Sequence, residues 1–193
     1  MSTVDRFKDL SRLVAFSADI MAPRIDDAAA LIRTCFRNGG KVLVCGNGGS
    51  AAHAQHLAAE LIGRFHNERD GYPAIALTAD TSTMTAIAND YGYENVFARQ
   101  LKALGQPGDM LIAISTSGYS KNIVNAIRAA NRGSMATVLI TRELHALLAG
   151  PIWDNDLAIE CVIGVPSTNT ARIQEVHQLV IHCLCERIER SYQ

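Results

Sequence analysis

The sequence predicts an α/β protein: a doubly wound parallel five-stranded sheet with flanking helices and an N-terminal helical extension. Three observations carry this reading. Short apolar runs recur at residues 41–45, 74–78, 110–114, 136–141 and 157–163. Stretches rich in helix formers lie between most of them. Two of the runs end in small polar loops that open into helices, at 46–50 and 115–120. Open sheets of this kind bind ligands at the carboxyl ends of their strands.

The elements follow in order. Residues 3–22 place Val4, Phe7, Leu10, Leu13, Val14 and Phe16 at three- and four-residue spacing, an amphipathic helix. Pro23 is expected to break it, because proline lacks the N–H a helix interior needs. A second helix is expected over Ile25–Phe36, with Asp26 and Asp27 in its first turn and Gly39-Gly40 beyond its end. Residues 1–38 are expected to pack on the sheet and on a neighbouring subunit. Lys41–Cys45 is the first strand, Gly46-Asn47-Gly48-Gly49-Ser50 a loop, and Ala51–Leu61 a helix with Ser50 as its expected N-cap. After the Gly71-Tyr72-Pro73 turn come a strand at Ala74–Thr78, a helix at Ser82–Ala88 ending at Asn89-Asp90-Tyr91-Gly92, and a helix at Glu94–Leu104. Met110–Ile114 is an apolar strand, followed by the serine-rich loop and a helix at Ile123–Ala130. Ala136–Thr141 is the fourth strand, His145–Leu148 a short apolar piece, Leu157–Ile163 the last strand and Ala171–Arg190 a long closing helix. No repeat, linker or low-complexity tract divides the chain, so residues 1–193 are read as one domain.

Bulk properties narrow the function classes. Net charge is −1, so there is no electrostatic footprint for nucleic acid. No apolar run reaches 18 residues and the N-terminus lacks an apolar core, so neither a membrane span nor a signal peptide is expected. Cys35, Cys45, Cys161, Cys183 and Cys185 are odd in number and scattered, the usage of reduced thiols in a cytoplasmic protein. Charged residues make up only 19%, which fits a surface partly covered by other subunits.

Chemistry concentrates in three places. The glycine loop lets backbone approach a ligand, and the following helix presents unpaired N–H groups to an anion or a polyhydroxylated molecule. Within that helix His56 and Glu60 stand four residues apart on one face, a spacing that suits metal ligation or acid–base work. The second loop, Ser115-Thr116-Ser117-Gly118-Tyr119-Ser120, offers hydroxyls and backbone N–H groups to a phosphate. An ordinary capped turn has the same composition. In the last helix Gln174 and His182 lie about 80° apart and can reach one point, whereas His177 lies about 140° from His182 and faces elsewhere. His56, Glu60, Gln174 and His182 could thus surround one divalent ion such as Zn²⁺ if the two helices meet. A hydrogen-bonded structural histidine accounts for any one of these imidazoles taken alone.

Four motifs in fixed order resemble a known family. C-G-N-G-G-S followed by A-Q-H-x-A-x-E, N-D-Y-G, G-D-x-L-I-x-I-S-T-S-G-x-S and R-I-Q-E-x-H-x-x-x-x-H are similar to the sugar isomerase (SIS) domain, of flavodoxin-like topology, of the sedoheptulose 7-phosphate isomerases, or phosphoheptose isomerases. The resemblance spans the second expected helix to the end. It implies a cytoplasmic homotetramer with active sites between subunits and zinc held by His56, Glu60, Gln174 and His182. It implies sugar-phosphate contacts from Asn47, Gly48, Gly49, Ser50, Glu60, Asn89, Asp90 and Gln174. Ser115, Thr116, Ser117 and Ser120 would surround the phosphate. The implied reaction yields D-glycero-D-manno-heptose 7-phosphate, a precursor for lipopolysaccharide and surface glycans. Moving a carbonyl from C2 to C1 needs a base and an acid, and Glu60 and His182 suit those roles.

Three departures from the family pattern stand out. His53 occupies a position that commonly holds Asp; it lies about 20° around the helix from Glu60 and faces the same site. It is either an extra donor, a competing metal ligand or a tolerated change at the pocket rim. Arg142-Glu143-Leu144 stands where a glycine-rich turn is usual, and Ala171 where some members have Asp. A rival reading is a non-catalytic tetrameric SIS protein that binds the replication initiator; such proteins lack the counterparts of Glu60 and His182. An isomerase of another sugar phosphate is the third reading.

Overall fold

In the computed structural model, which describes residues 2–143 and 157–189, five strands run parallel: β1 (Val42–Gly46), β2 (Ala74–Ala76), β3 (Met110–Ser115), β4 (Ala136–Arg142) and β5 (Cys161–Val165). Their spatial order is β2-β1-β3-β4-β5. Val42 pairs with Ala74 on one side and Met110 on the other, and the register continues through Met110–Ala136 and Val138–Cys161. The chain reverses direction across the sheet between β1 and β3, which makes their carboxyl ends the switch point where ligands bind in such sheets.

The strands read as continuous apolar runs because both faces are covered. Val42, Val44, Ile112, Ile114, Val138, Ile140 and Ile163 point to one core. That core is roofed by α1 (Thr3–Arg37), α2 (Gly49–Ile62) and α6 (Thr170–Glu189). Leu43, Cys45, Leu111, Ala113 and Leu139 point to the other, under α4 (Val96–Leu104) and α5 (Lys121–Arg132). A third helix on that side, α3 (Thr81–Tyr91), leads through a 3₁₀ turn at Tyr93–Asn95 into α4. At the amino ends of the strands Asp109 accepts from the Lys41 backbone N–H and pairs with its ammonium at 2.5 Å, fastening the starts of β1 and β3.

The structure corrects several expected boundaries. Pro23 does not break the first helix: α1 runs unbroken for 35 residues, opened by a capping box between Ser2 and Asp5. An interior proline costs about 3 kcal/mol. Pro23 and Asp19, whose carbonyl loses its donor, are both exposed, so the lost bond falls on the solvent side of the helix. Meanwhile Met21, Ile25, Ala28, Ala29, Ile32 and Cys35 form one buried stripe through the proline. Burial of Met21, Ile25 and Ile32 at about 1.5–3 kcal/mol each outweighs the lost bond. Ser50 is not the N-cap of α2; that place falls to Gly48, and Ser50 is buried in the first turn. Glu94 belongs to the 3₁₀ turn, α3 extends past Asn89 and Asp90, and β5 starts only at Cys161. The segment His145–Leu148 lies outside the described residues. All five cysteines are free, and no helix among the described residues is long and apolar enough to cross a membrane.

Candidate active site

The site is built where β1 hands over to α2. Gly48 has φ +55°, a conformation only glycine adopts without strain. It turns the chain so that Gly49 starts the helix with no side-chain cap. The Ser50 and Ala51 N–H groups of that first turn donate back to the Asn47 and Gly48 carbonyls at 2.9 and 3.0 Å, so what the turn offers a ligand is the positive end of the helix dipole. A Cβ on Gly49 would come within 2.5 Å of the Gln174 amide nitrogen, so Gln174 lies directly over the first turn of α2.

Two turns further along, α2 and α6 meet. His56 Nε2 is 3.1 Å from His182 Nε2 and 3.6 Å from a Glu60 carboxylate oxygen. Gln178, one helical turn before His182, places its amide nitrogen 2.8 Å from the same His182 Nε2. Phe65 covers His182 with ring centroids 5.5 Å apart. The structure brings His56 to both Glu60 and His182, whereas Gln174 lies over Gly49 at the start of α2.

His177 points elsewhere, as its angle predicts. It is fully buried, its Nε2 donates to the Thr141 carbonyl at 3.1 Å, and burial pushes its pKa down to about 4. It is a neutral anchor between α6 and β4. His53 is half-buried beside it, with ring centroids 6.5 Å apart, and burial together with nearby His56 lowers its pKa. The Nδ1 atoms of His53 and His177 are buried without a protein partner.

On the other side of the switch point the serine loop closes β3. The Gly118 N–H donates to Ser115 Oγ at 3.1 Å and the Tyr119 N–H to Ser117 Oγ at 3.2 Å. Each hydroxyl oxygen thus accepts a backbone N–H within the loop. Ser120 caps α5 with backbone only, while Thr116, Ser117 and Ser120 are half-buried. Asn89 and Asp90 sit in the last turn of α3 and bond to each other at 2.8 Å. Asp90 lines a groove with Ile75, Thr83, Tyr91 and Arg99 that includes none of the imidazole residues.

Other residues of the site had no sequence signal of their own. Glu189, 4% exposed, accepts from the backbone N–H groups of Phe65, His66 and Asn67 and from Arg69 Nε, at 2.9–3.1 Å. Burial alone would raise its pKa, but these donors win and hold it down to about 2. Arg69 also donates to the carbonyls of Glu60 and Leu61, at 2.8 and 2.9 Å. The Arg69–Glu189 pair thus fastens the end of the helix that carries Glu60 to the end of the helix that carries His182. Asn122 and Tyr93 both bond to Asn47.

The donor set fits zinc in kind: imidazole nitrogens and a carboxylate. Neighbouring donors around a tetrahedral zinc stand about 3.3 Å apart, given bonds of about 2.0–2.1 Å. The His56–His182 and His56–Glu60 separations of 3.1 and 3.6 Å bracket that value. Among the described residues no group of three or more His, Cys, Asp or Glu side chains is placed to hold a metal ion; His56 is the member common to both close pairs.

Comparison with known proteins places this architecture. The SIS domain family matches residues 7–142, so the class is that of the sugar isomerase domain proteins. The chain is 55% identical over 173 residues to a phosphoheptose isomerase of Thiobacillus denitrificans, covering 90% of this chain and 86% of that one. The structure of a phosphoheptose isomerase from Francisella tularensis superposes with a TM-score of 0.88 at 40% identity, over 98% of this chain and all of that one. That of Neisseria gonorrhoeae gives 0.86 at 42% identity, over 97% and 96%. The chain belongs to the phosphoheptose isomerase family of SIS-domain proteins.

Proposed function

We infer that the protein is an aldose–ketose isomerase that converts sedoheptulose 7-phosphate to D-glycero-D-manno-heptose 7-phosphate, within heptose precursor biosynthesis. The observation that carries this is Glu60 and His182 meeting at His56 in a chain half identical to phosphoheptose isomerases along nine-tenths of its length. Glu60 takes a proton from C1 of the ketose while His182, in its protonated form, gives one to O2, producing an enediol; as both are also proposed ligands, ligation and proton transfer are shared or exchanged between them during turnover. Return of the carbon proton to C2 and loss of the O1 proton leave an aldehyde at C1. Held by His56, Glu60, Gln174 and His182, a zinc ion would act as a Lewis acid toward the developing oxyanion. The serine loop and the start of α5 take the phosphate through hydroxyls and N–H groups. The glycine loop, with Asn47, Gly48, Gly49 and Ser50, and the end of α3, with Asn89 and Asp90, complete the sugar site.

The working form is proposed to be a homotetramer with sites between subunits. What supports this is an uncovered apolar surface on α1, where Val4, Phe7, Phe16 and Ile20 are exposed. Beside it Val14, Met21, Val176, Val180 and Cys183 line a shallow groove on the face of α6 turned away from His182. A reading as a non-catalytic partner-binding protein leaves Glu60, His56 and His182 without a task. The test is turnover of sedoheptulose 7-phosphate by the purified protein, before and after a chelator. Conversion that is lost with the metal and returns with zinc is the expected result. No conversion of the heptulose by metal-replete protein refutes the substrate, and full activity after stripping refutes the zinc.

A further inference from the structure

Three loops of the site come from three separate connections, and one side chain touches all of them. Asn47, in the glycine loop, exchanges paired amide hydrogen bonds with Asn122 in the first turn of α5. Asn47 Nδ2 donates to Asn122 Oδ1 at 2.9 Å, and Asn122 Nδ2 donates to Asn47 Oδ1 at 2.8 Å. The Tyr93 hydroxyl donates to the same Asn47 Oδ1 at 3.0 Å. Asn122 is 3% exposed, so its bonds to Asn47 are sheltered from water. The turn that holds Tyr93 directly follows α3, the helix of Asn89 and Asp90. It is itself tied to α5 by Asn125, which donates to the Glu94 carbonyl at 3.0 Å.

We propose that Asn122 and Tyr93 are positioning residues, which act through Asn47 to fix the glycine loop against the serine loop and the end of α3. Resting on the isomerase reading, this assigns the lock a defined task. The phosphate is held at one loop and the carbonyl carbons react beside the other, so the offset between loops sets where C1 and C2 lie relative to Glu60 and His182. The sheet fixes the strand ends only; past Gly46 and Ser115 the amide pair and the hydroxyl carry the restraint. Both lone pairs of Asn47 Oδ1 are occupied by these donors, so that oxygen serves the lock.

The experiment is steady-state kinetics of the metal-replete protein on sedoheptulose 7-phosphate, with thermal melts alongside, for Asn122→Ala, Tyr93→Phe and the double variant. A misplacement of about 1 Å costs up to about 100-fold in rate. Asn122→Ala is expected to lower kcat about 10- to 100-fold with KM within about threefold, and Tyr93→Phe, a surface change that removes one oxygen, to lower kcat about three- to tenfold. Because both act through Asn47, the double variant is expected to be no more than about twofold worse than Asn122→Ala. Wild-type kcat in Tyr93→Phe, a loss confined to KM, or a double variant showing the full product of the single effects overturns the assignment. A wild type that fails to convert the heptulose overturns the isomerase reading and this one with it. A wild type that converts it beside variants of unchanged kcat overturns this one alone.

Discussion

Glu189→Gln tests how α2 and α6 are held together. Glu189 is buried at the end of α6 and collects three backbone N–H groups and the Arg69 guanidinium. Its pKa is held down from 4.5 to about 2. At about 1.4 kcal/mol per pKa unit, the ionised carboxylate contributes about 3 kcal/mol to folding. A carboxylate with a depressed native pKa gives its full contribution above about pH 4.5 and loses it as the pH falls toward 2. Glutamine keeps the shape but turns an NH₂ toward donors and removes the charge facing Arg69, so Glu189→Gln is expected to cost about 3 kcal/mol at pH 7. For a chain of this size that is about 6–12 °C in Tm. The assay is thermal or urea unfolding of both proteins from pH 7 to pH 2.5, at one protein concentration. The variant's deficit is expected to shrink steadily below about pH 4.5. A deficit that is constant across that range refutes the charge-based account, and one under about 1 kcal/mol at pH 7 refutes the claim that this pair closes α2 onto α6.

Glu60→Gln and His182→Asn are each expected to reduce kcat by about 10²–10⁴-fold, the range for a general acid or base, with unchanged oligomeric state by light scattering. Gly49→Ala places a methyl where the Gln174 amide lies, at a φ that alanine tolerates. It is expected to weaken zinc affinity about 10-fold or more in a competition titration, with Tm within a few degrees of wild type. Pro23→Ala restores the missing bond to the Asp19 carbonyl on the exposed side of α1, and a gain of about 1–2 kcal/mol in urea unfolding is expected after the loss of proline's restraint on the unfolded chain.

Much of this architecture was legible because the signals are local. All five strands announce themselves as apolar runs, and their alternation with helices fixes a parallel sheet. The loops at Gly46 and Ser115 were readable as ligand sites because strand, small polar residues and helix follow one another directly. The convergence of His56 and Glu60 with His182 needed more: helical angle put Gln174 and His182 on one side of α6, but only the packing of α6 on α2 brings His182 to His56 and Gln174 to Gly49. Pro23 misled because its penalty is local while the buried stripe that overrides it is tertiary. Ser50 misled because Gly48, with its positive φ, starts the helix two residues earlier than composition suggests. Glu189 and Asn122 were silent for the same reason: each acts on backbone or side chains far away in sequence, 120 residues for Arg69 and 75 for Asn47. No periodicity encodes such a partner.

The long first helix has a mechanical consequence. Its 35 residues reach about 50 Å, yet none before Ser17 is buried. Along that leading half Leu10, Leu13 and Val14 rest partly against the core, and Arg172 reaches out to hold the Arg6 carbonyl at 2.8 Å. The element is a cantilever, clamped over its rear half and only lightly propped toward its tip. Cutting away residues 2–16 takes only the partly buried Leu10, Leu13 and Val14 from the margin of the core, so such a shortened chain is expected to fold yet lose whatever assembly the arm supports.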